Sequence, residues 1–96
     1  MQDSKSNPEL KNSIISFEAR IDRMHQDFYK YYNGLEPKLP DWEGLERELL
    51  LFSKKKIFDT VIAKNLDRIM FKFQNRKKIW LNWDEEYHNS LKTKKI

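Results

Sequence analysis

The chain has 96 residues and a formal net charge of +4, with 35% charged, 39% hydrophobic and 14% aromatic side chains, so we expect one domain with a small core and no enclosed substrate pocket. Two glycines, three prolines and no cysteine favour solvated helices over a β-sandwich and exclude disulfides and thiolate metal sites. The apolar runs are shorter than the ~18 residues that cross a bilayer and the polar N-terminus lacks a signal peptide's apolar core, so we expect a cytoplasmic protein.

The first predicted helix begins at Asn7 and Pro8, an N-cap residue followed by a proline at the first helical position. We expect it to end near Asn33 and Gly34, which tolerate the left-handed conformation of a helix C-terminus. Its apolar side chains recur at alternating steps of four and three, a repeat typical of a helix that packs along its whole length. They are Leu10, Ile14, Phe17, Ile21, Met24, Phe28, Tyr31 and Leu35.

A connection with two prolines, residues 36–40, separates this helix from a short second one. Asp41 is the expected N-cap of a helix over residues 42–52, whose main apolar residues are Trp42, Leu45, Leu49 and Phe52. Residues 53–56 contain no apolar side chain. They predict either a break or a solvated turn that makes the second and third helices continuous, and the sequence leaves both alternatives open.

The third predicted helix is the longest element of the chain and its pattern continues to Leu91. Asp59 is a candidate N-cap, with Ile57 and Phe58 outside the helix as a hydrophobic staple. A single arginine, Arg76, interrupts the apolar seam, and we expect it to pair with an acid of the first helix. The seam itself consists of Ile62, Leu66, Ile69, Phe73, Trp80, Trp83 and Tyr87.

Matching seams on two long helices predict an all-α fold. We expect an antiparallel hairpin of the long helices with a short intervening helix, which makes a small three-helix bundle. Residues 1–96 form one helical domain, with residues 1–7 and 92–96 frayed. The third helix is longer than the first, so part of its aromatic surface overhangs its partner and is covered by the short helix or by another chain.

The overhanging aromatic surface leads to the function that we favour, a non-enzymatic protein-interaction or adaptor module that binds another protein or itself. Trp80, Trp83 and Tyr87 are the expected anchors, because large aromatic side chains dominate interface energies. Core packing is the competing interpretation for each of them. No catalytic triad, phosphate loop or face-to-face set of metal ligands stands out, so we expect no catalytic residue, metal, cofactor or small-molecule substrate.

Cations on the third helix support an alternative function, nucleic-acid binding. Residues 1–52 carry seven basic and ten acidic side chains, a net of −3, whereas residues 53–96 carry twelve and five, a net of +7. The competing interpretation is that Glu18, Asp22 and Asp27 of the first helix neutralise this cationic stripe, and salt bridges between them remove the nucleic-acid hypothesis. The expected nucleic-acid contacts are Lys64, Arg68, Lys72, Gln74, Asn75 and Lys77.

Two segments carry a resemblance to a known family. Residues 31–37 read Tyr-Tyr-Asn-Gly-Leu-Glu-Pro, residues 71–75 read Phe-Lys-Phe-Gln-Asn, and the aromatic residues Trp80, Trp83 and Tyr87 follow. Over about residues 28–87 the chain is similar to an uncharacterised helical domain of deltaproteobacterial proteins. That family has arginine where Lys72 stands, tyrosines at the two tryptophan positions and tryptophan at the tyrosine position. The resemblance implies an accessory helical module that acts by binding.

Overall fold

The computed structural model describes residues 8–94, which form three α-helices: α1, Pro8–Tyr32; α2, Trp42–Ser53; and α3, Thr60–Lys94. Residues 8–94 contain no strand, so the predicted all-α fold and small three-helix bundle are confirmed. None of the helices in this range combines the length and the hydropathy of a membrane-spanning segment. The predicted cap at Asn7 and the predicted fraying of residues 1–7 and 95–96 lie outside the described residues, whereas residues 92–94 continue α3.

The predicted glycine, Gly34, lies just after the C-terminus of α1. Gly34 has φ 77°, a left-handed conformation that costs glycine little because it has no Cβ. The amide of Gly34 donates to the carbonyl of Tyr31 at 3.1 Å, and the amide of Leu35 donates to the carbonyl of Lys30 at 2.8 Å. These two bonds satisfy carbonyls that the end of a helix otherwise leaves without a partner.

Aspartates cap the N-termini of the other two helices, as predicted. The Asp41 carboxylate accepts a hydrogen bond from the amide of Gly44 at 3.0 Å, and the Asp59 carboxylate accepts one from the amide of Val61 at 2.9 Å. The cap at Asp59 resolves the open alternative, because α2 and α3 are separate helices. The predicted staple is wrong at Phe58, which is exposed and does not pack on the core.

One hydrophobic core joins the three helices, and every buried residue belongs to a predicted seam. Side chains at a spacing of three and four lie on one face of a helix, which is why the sequence predicts the core well. The buried residues are Ile14, Phe17, Ile21, Phe28 and Tyr31 of α1; Leu45, Leu49 and Phe52 of α2; and Ile62, Leu66, Ile69, Phe73 and Trp80 of α3.

The two long helices run in the same direction, so the predicted antiparallel pairing is wrong. α2 is a full helix of the bundle and not part of a turn. The chain reverses its direction before α2 and again after it, so α3 runs in the same direction as α1. Contacts between α2 and α1 run the opposite way, with Phe17 beside Phe52 and Arg20 beside Glu48. The contacts between α1 and α3 advance along both helices together: Glu18–Arg68, Asp22–Lys72, His25–Trp80, Tyr31–Asp84 and Tyr32–Glu86.

This parallel arrangement leaves one end of α3 beyond the end of α1. The Tyr32 hydroxyl contacts Glu86, and Tyr32 is the last residue of α1. Residues 87–94 of α3 therefore continue past α1 by about 12 Å, or two helical turns. We call these eight residues the overhang. It lies at the end of the bundle that contains the C-termini of both long helices.

Candidate functional site

Aromatic rings join α1 to α3 just before the overhang, with Trp80 at their centre. Its ring stacks on Phe28 with centroids 5.1 Å apart and planes 2° apart, and Phe73 meets it edge-on at 5.7 Å. The indole Nε1–H donates a hydrogen bond to His25 Nδ1 at 3.1 Å. Trp80 is fully buried, so it offers no surface to a partner. Its expected role as an anchor is corrected: this ring is a core residue.

The imidazole of His25 is held in the form that accepts this hydrogen bond. Burial, followed by the nearby charge of Arg76, lowers the pKa of His25 below its ordinary value. A neutral imidazole has a ring nitrogen free to accept a hydrogen bond, whereas a protonated one does not. Arg76 itself is half-buried and makes no salt bridge within the described residues, so its expected pairing with an acid of α1 is wrong.

Trp83 lies in the groove between α1 and α3 and is only half-buried. Three rings of α1 surround it: Tyr32 stacks at 5.4 Å, His25 is at 5.2 Å and Tyr29 is at 6.1 Å between centroids. Tyr29 is itself exposed. Trp83 therefore presents aromatic surface to solvent while its neighbours restrict its motion, as an interface anchor requires.

Tyr87, the first residue of the overhang, lies at the edge of an open cavity. Its ring packs on Tyr31 of α1 with centroids 4.7 Å apart, and it is half-buried. The cavity has a volume of about 390 Å³ and lies between the end of α1 and the overhang. We call it the end cavity. It is lined by Tyr32, Asn33, Gly34, Glu86, Tyr87, Ser90 and Leu91.

Two tyrosine hydroxyls fix the position of α3 beside this cavity. The Tyr31 hydroxyl donates to Asp84 at 2.9 Å, and the Tyr32 hydroxyl donates to Glu86 at 2.8 Å. Burial, and then the bond to Asp84, raises the pKa of Tyr31 to about 12, so the phenol stays a donor at neutral pH. These bonds could not be predicted from the sequence, because apolar spacing does not show where a hydroxyl points. The available signal was a tyrosine pair at the end of one helix and acids near the end of another.

Acids of α1 neutralise the middle of the cationic stripe. Glu18 contacts Arg68 at 2.9 Å and Lys72 at 3.1 Å, and Lys72 also contacts Asp22 at 2.8 Å. Asp27, the third expected acid, makes no salt bridge with the stripe among the described residues. Hydrogen bonds from Arg68 and Lys72 lower the pKa of Glu18 to about 2. The stability that Glu18 gains from these two cations is therefore present above about pH 4.5 and is lost as the pH falls towards 2.

The rest of the stripe gives no continuous basic surface. Lys77 contacts Glu46 of α2 at 2.8 Å, so a second helix neutralises it. Lys64, Gln74 and Asn75 are exposed, but only one of these three side chains carries a positive charge. Three of the four expected cations thus pair with carboxylates of α1 and α2, which favours the neutralised stripe over nucleic-acid binding. The nucleic-acid hypothesis itself stays a prediction.

Among residues 8–94, no group of three or more His, Cys, Asp or Glu side chains is placed to hold a metal ion. The chain matches no protein-family model, and no curated protein and no solved structure matches it. The similarity to the deltaproteobacterial helical domain therefore stays a prediction.

Proposed function

We propose that this protein is a non-enzymatic interaction module, which binds another protein or a second copy of itself on the surface formed by Trp83, Tyr87 and Leu91. We call this surface the docking face. The overhang is the observation that supports the proposal best. The apolar seam of α3 continues past Tyr87, which still contacts Tyr31 of α1, to Leu91 in the overhang. Leu91 is 41% exposed and lines the end cavity, so the described part of the fold covers this large apolar side chain only in part.

The aromatic rings of the docking face are held in fixed positions, which favours a binding role for them. Binding costs conformational entropy when a flexible side chain becomes fixed, and this cost falls when the free protein already fixes it. Trp83 is held by three rings, and Tyr87 by its contact with Tyr31. Preorganised aromatic side chains beside a cavity are typical of interface anchors.

Charge around the docking face suggests the kind of partner. Asp84 and Glu86 lie beside it, where they accept hydrogen bonds from Tyr31 and Tyr32, and the C-terminal end of α1 adds partial negative charge. A helix that offers apolar side chains and a basic edge complements both features. The adaptor role and the cytoplasmic location belong to the same proposal, which agrees with the binding role that the family resemblance implies.

We expect a photoreactive residue at position 91 to form crosslinks that the same residue at position 50 does not form. Leu50 is the matched control, because it is 45% exposed but lies on α2, away from the docking face. A partner helix on the docking face comes within reach of position 91 only. Crosslinking the purified chain at about 1 mM detects self-association, and crosslinking in an extract of the native cells detects another protein.

Substitution of the anchor then tests the chemistry of the contact. Tyr87→Ser should weaken the binding detected at position 91 by at least about tenfold, because the lost ring is an anchor. Leu50→Ser should leave it unchanged. Equal adducts at positions 91 and 50, or no adduct at position 91 in either sample, would contradict the proposal.

A further inference from the structure

The three-helix bundle is elongated, and we call it the rod. The end of the rod opposite the docking face carries apolar and basic side chains together. Phe58, Val61 and Leu51 are 83%, 67% and 63% exposed, and they flank the connection between α2 and α3. Lys54, Lys55 and Lys56 lie in that connection; all three are exposed and make no salt bridge within the described residues. We call these six residues the basic tip.

We propose that the basic tip binds end-on to a bilayer that contains anionic phospholipids. In this arrangement Phe58 enters the boundary between headgroups and acyl chains, and the three lysines contact lipid phosphates. The combination of an inserted aromatic ring and neighbouring lysines is the one that peripheral membrane contact requires, because neither signal alone gives stable attachment.

The fold does not explain why Phe58 is exposed. The ring does not belong to the core, and the cap of α3 is made by the next residue, Asp59, through its carboxylate. The neighbouring Ile57 packs partly on the core, so the connection is anchored on one side while Phe58 stays in solvent. A large apolar side chain so exposed, with Leu51 and Val61 also exposed on the two helices that flank the connection, is a feature of binding surfaces.

The composition of the basic tip favours a lipid surface over an acidic protein. Three exposed apolar side chains accompany three consecutive exposed lysines. Each inserted apolar side chain and each lysine near an anionic bilayer adds its own contribution, so binding needs no complementary partner surface.

Sedimentation with lipid vesicles tests this proposal on the full chain. The probe is phosphatidylcholine vesicles with about one-third phosphatidylserine, at low salt, compared with pure phosphatidylcholine vesicles. The tip variants are Phe58→Ser and the triple replacement of Lys54, Lys55 and Lys56 by glutamine. The matched controls are Phe71→Ser, which removes a ring that is 70% exposed on α3, and glutamine at the exposed Lys30, Lys38 and Lys78. Circular dichroism verifies that each variant keeps its helices.

We expect the chain to bind the anionic vesicles only. The triple lysine variant should bind them about hundredfold more weakly, because each lysine contributes a factor of about five to the affinity. Phe58→Ser should weaken it about tenfold, and the controls should change it by less than about twofold. Absence of binding to anionic vesicles at low salt overturns the proposal. Equal losses in tip and control variants overturn it too, since they indicate a general charge effect.

Full binding by Phe58→Ser also overturns the proposal. It shows a contact made by charge alone, which an acidic protein surface could equally supply. The proposal is independent of the docking face, which lies at the other end of the rod. Tyr87→Ser should therefore leave vesicle binding unchanged, and failure of one proposal leaves the other standing.

Discussion

Replacement of Trp80 with alanine is expected to destabilise the protein by about 3–5 kcal/mol. Trp80 is fully buried, stacks on Phe28 and receives the edge of Phe73, so its removal leaves a large cavity between α1 and α3. A domain of this size has a total stability of about 5–15 kcal/mol, so the variant should be close to unfolding. The measurement is urea denaturation followed by circular dichroism. A loss below about 1 kcal/mol would show that the ring is not in the core.

A conservative variant separates packing from hydrogen bonding at the same position. Trp80→Phe keeps an aromatic ring but removes the donor to His25. It should lower the free energy of unfolding by less than Trp80→Ala does, but still by about 1 kcal/mol for the lost hydrogen bond. The pKa of His25 is below its ordinary value of 6.5. Stability from the neutral imidazole is therefore present above about pH 6.5 and is lost as the pH falls. This loss should be smaller in Trp80→Phe, because the bond is already absent.

Replacement of Leu49 with alanine should cost about 2–5 kcal/mol, whereas the same change at Leu50 should cost less than about 1 kcal/mol. The two leucines are adjacent on α2 and identical in chemistry, but Leu49 is 0% exposed and Leu50 is 45% exposed. Both substitutions replace leucine with alanine in one helix, so the change in helix propensity is the same. The difference between the two variants therefore measures the effect of burial on stability. Urea denaturation of both variants gives the difference in unfolding free energy.

The pair also tests how α2 lies on the long helices. A helix turned by about 100° about its axis would bury Leu50 and expose Leu49. A larger loss at Leu50 than at Leu49 would therefore contradict the observed packing of α2.

The sequence predicts the helix ends and the core faces well, because both depend on local chemistry. Asp41 and Asp59 mark helix starts through their own side chains, and Gly34 marks a helix end through its φ angle. The spacing of apolar residues determines which face of each helix is buried, whatever that face packs against.

The relative direction of the helices could not be read from that spacing, because a seam looks the same in either direction. The antiparallel prediction requires α2 to be part of a turn, whereas its 12 residues run back along the bundle. The same limit applies to the aromatic residues. Trp80 and Trp83 are neighbours on one seam, and only the position of α1 decides that the first is buried and the second half-exposed. The charge asymmetry likewise showed that pairing was available but not which pairs form.

The docking face requires that the long helices run in the same direction, since only then does the overhang lie beside Tyr31 and Tyr32. Distances between pairs of spin labels test this directly, and the absence of native cysteine makes labelled cysteine pairs simple to introduce. The exposed residues Asn12, Lys30 and Glu85 are suitable positions.

Because Tyr32 lies beside Glu86, labels at positions 30 and 85 should be less than about 20 Å apart, and labels at positions 12 and 85 about 30 Å apart. An antiparallel pair reverses this order, with position 12 near position 85 and position 30 far from it. The first result supports the docking face, and the reversed order would contradict it.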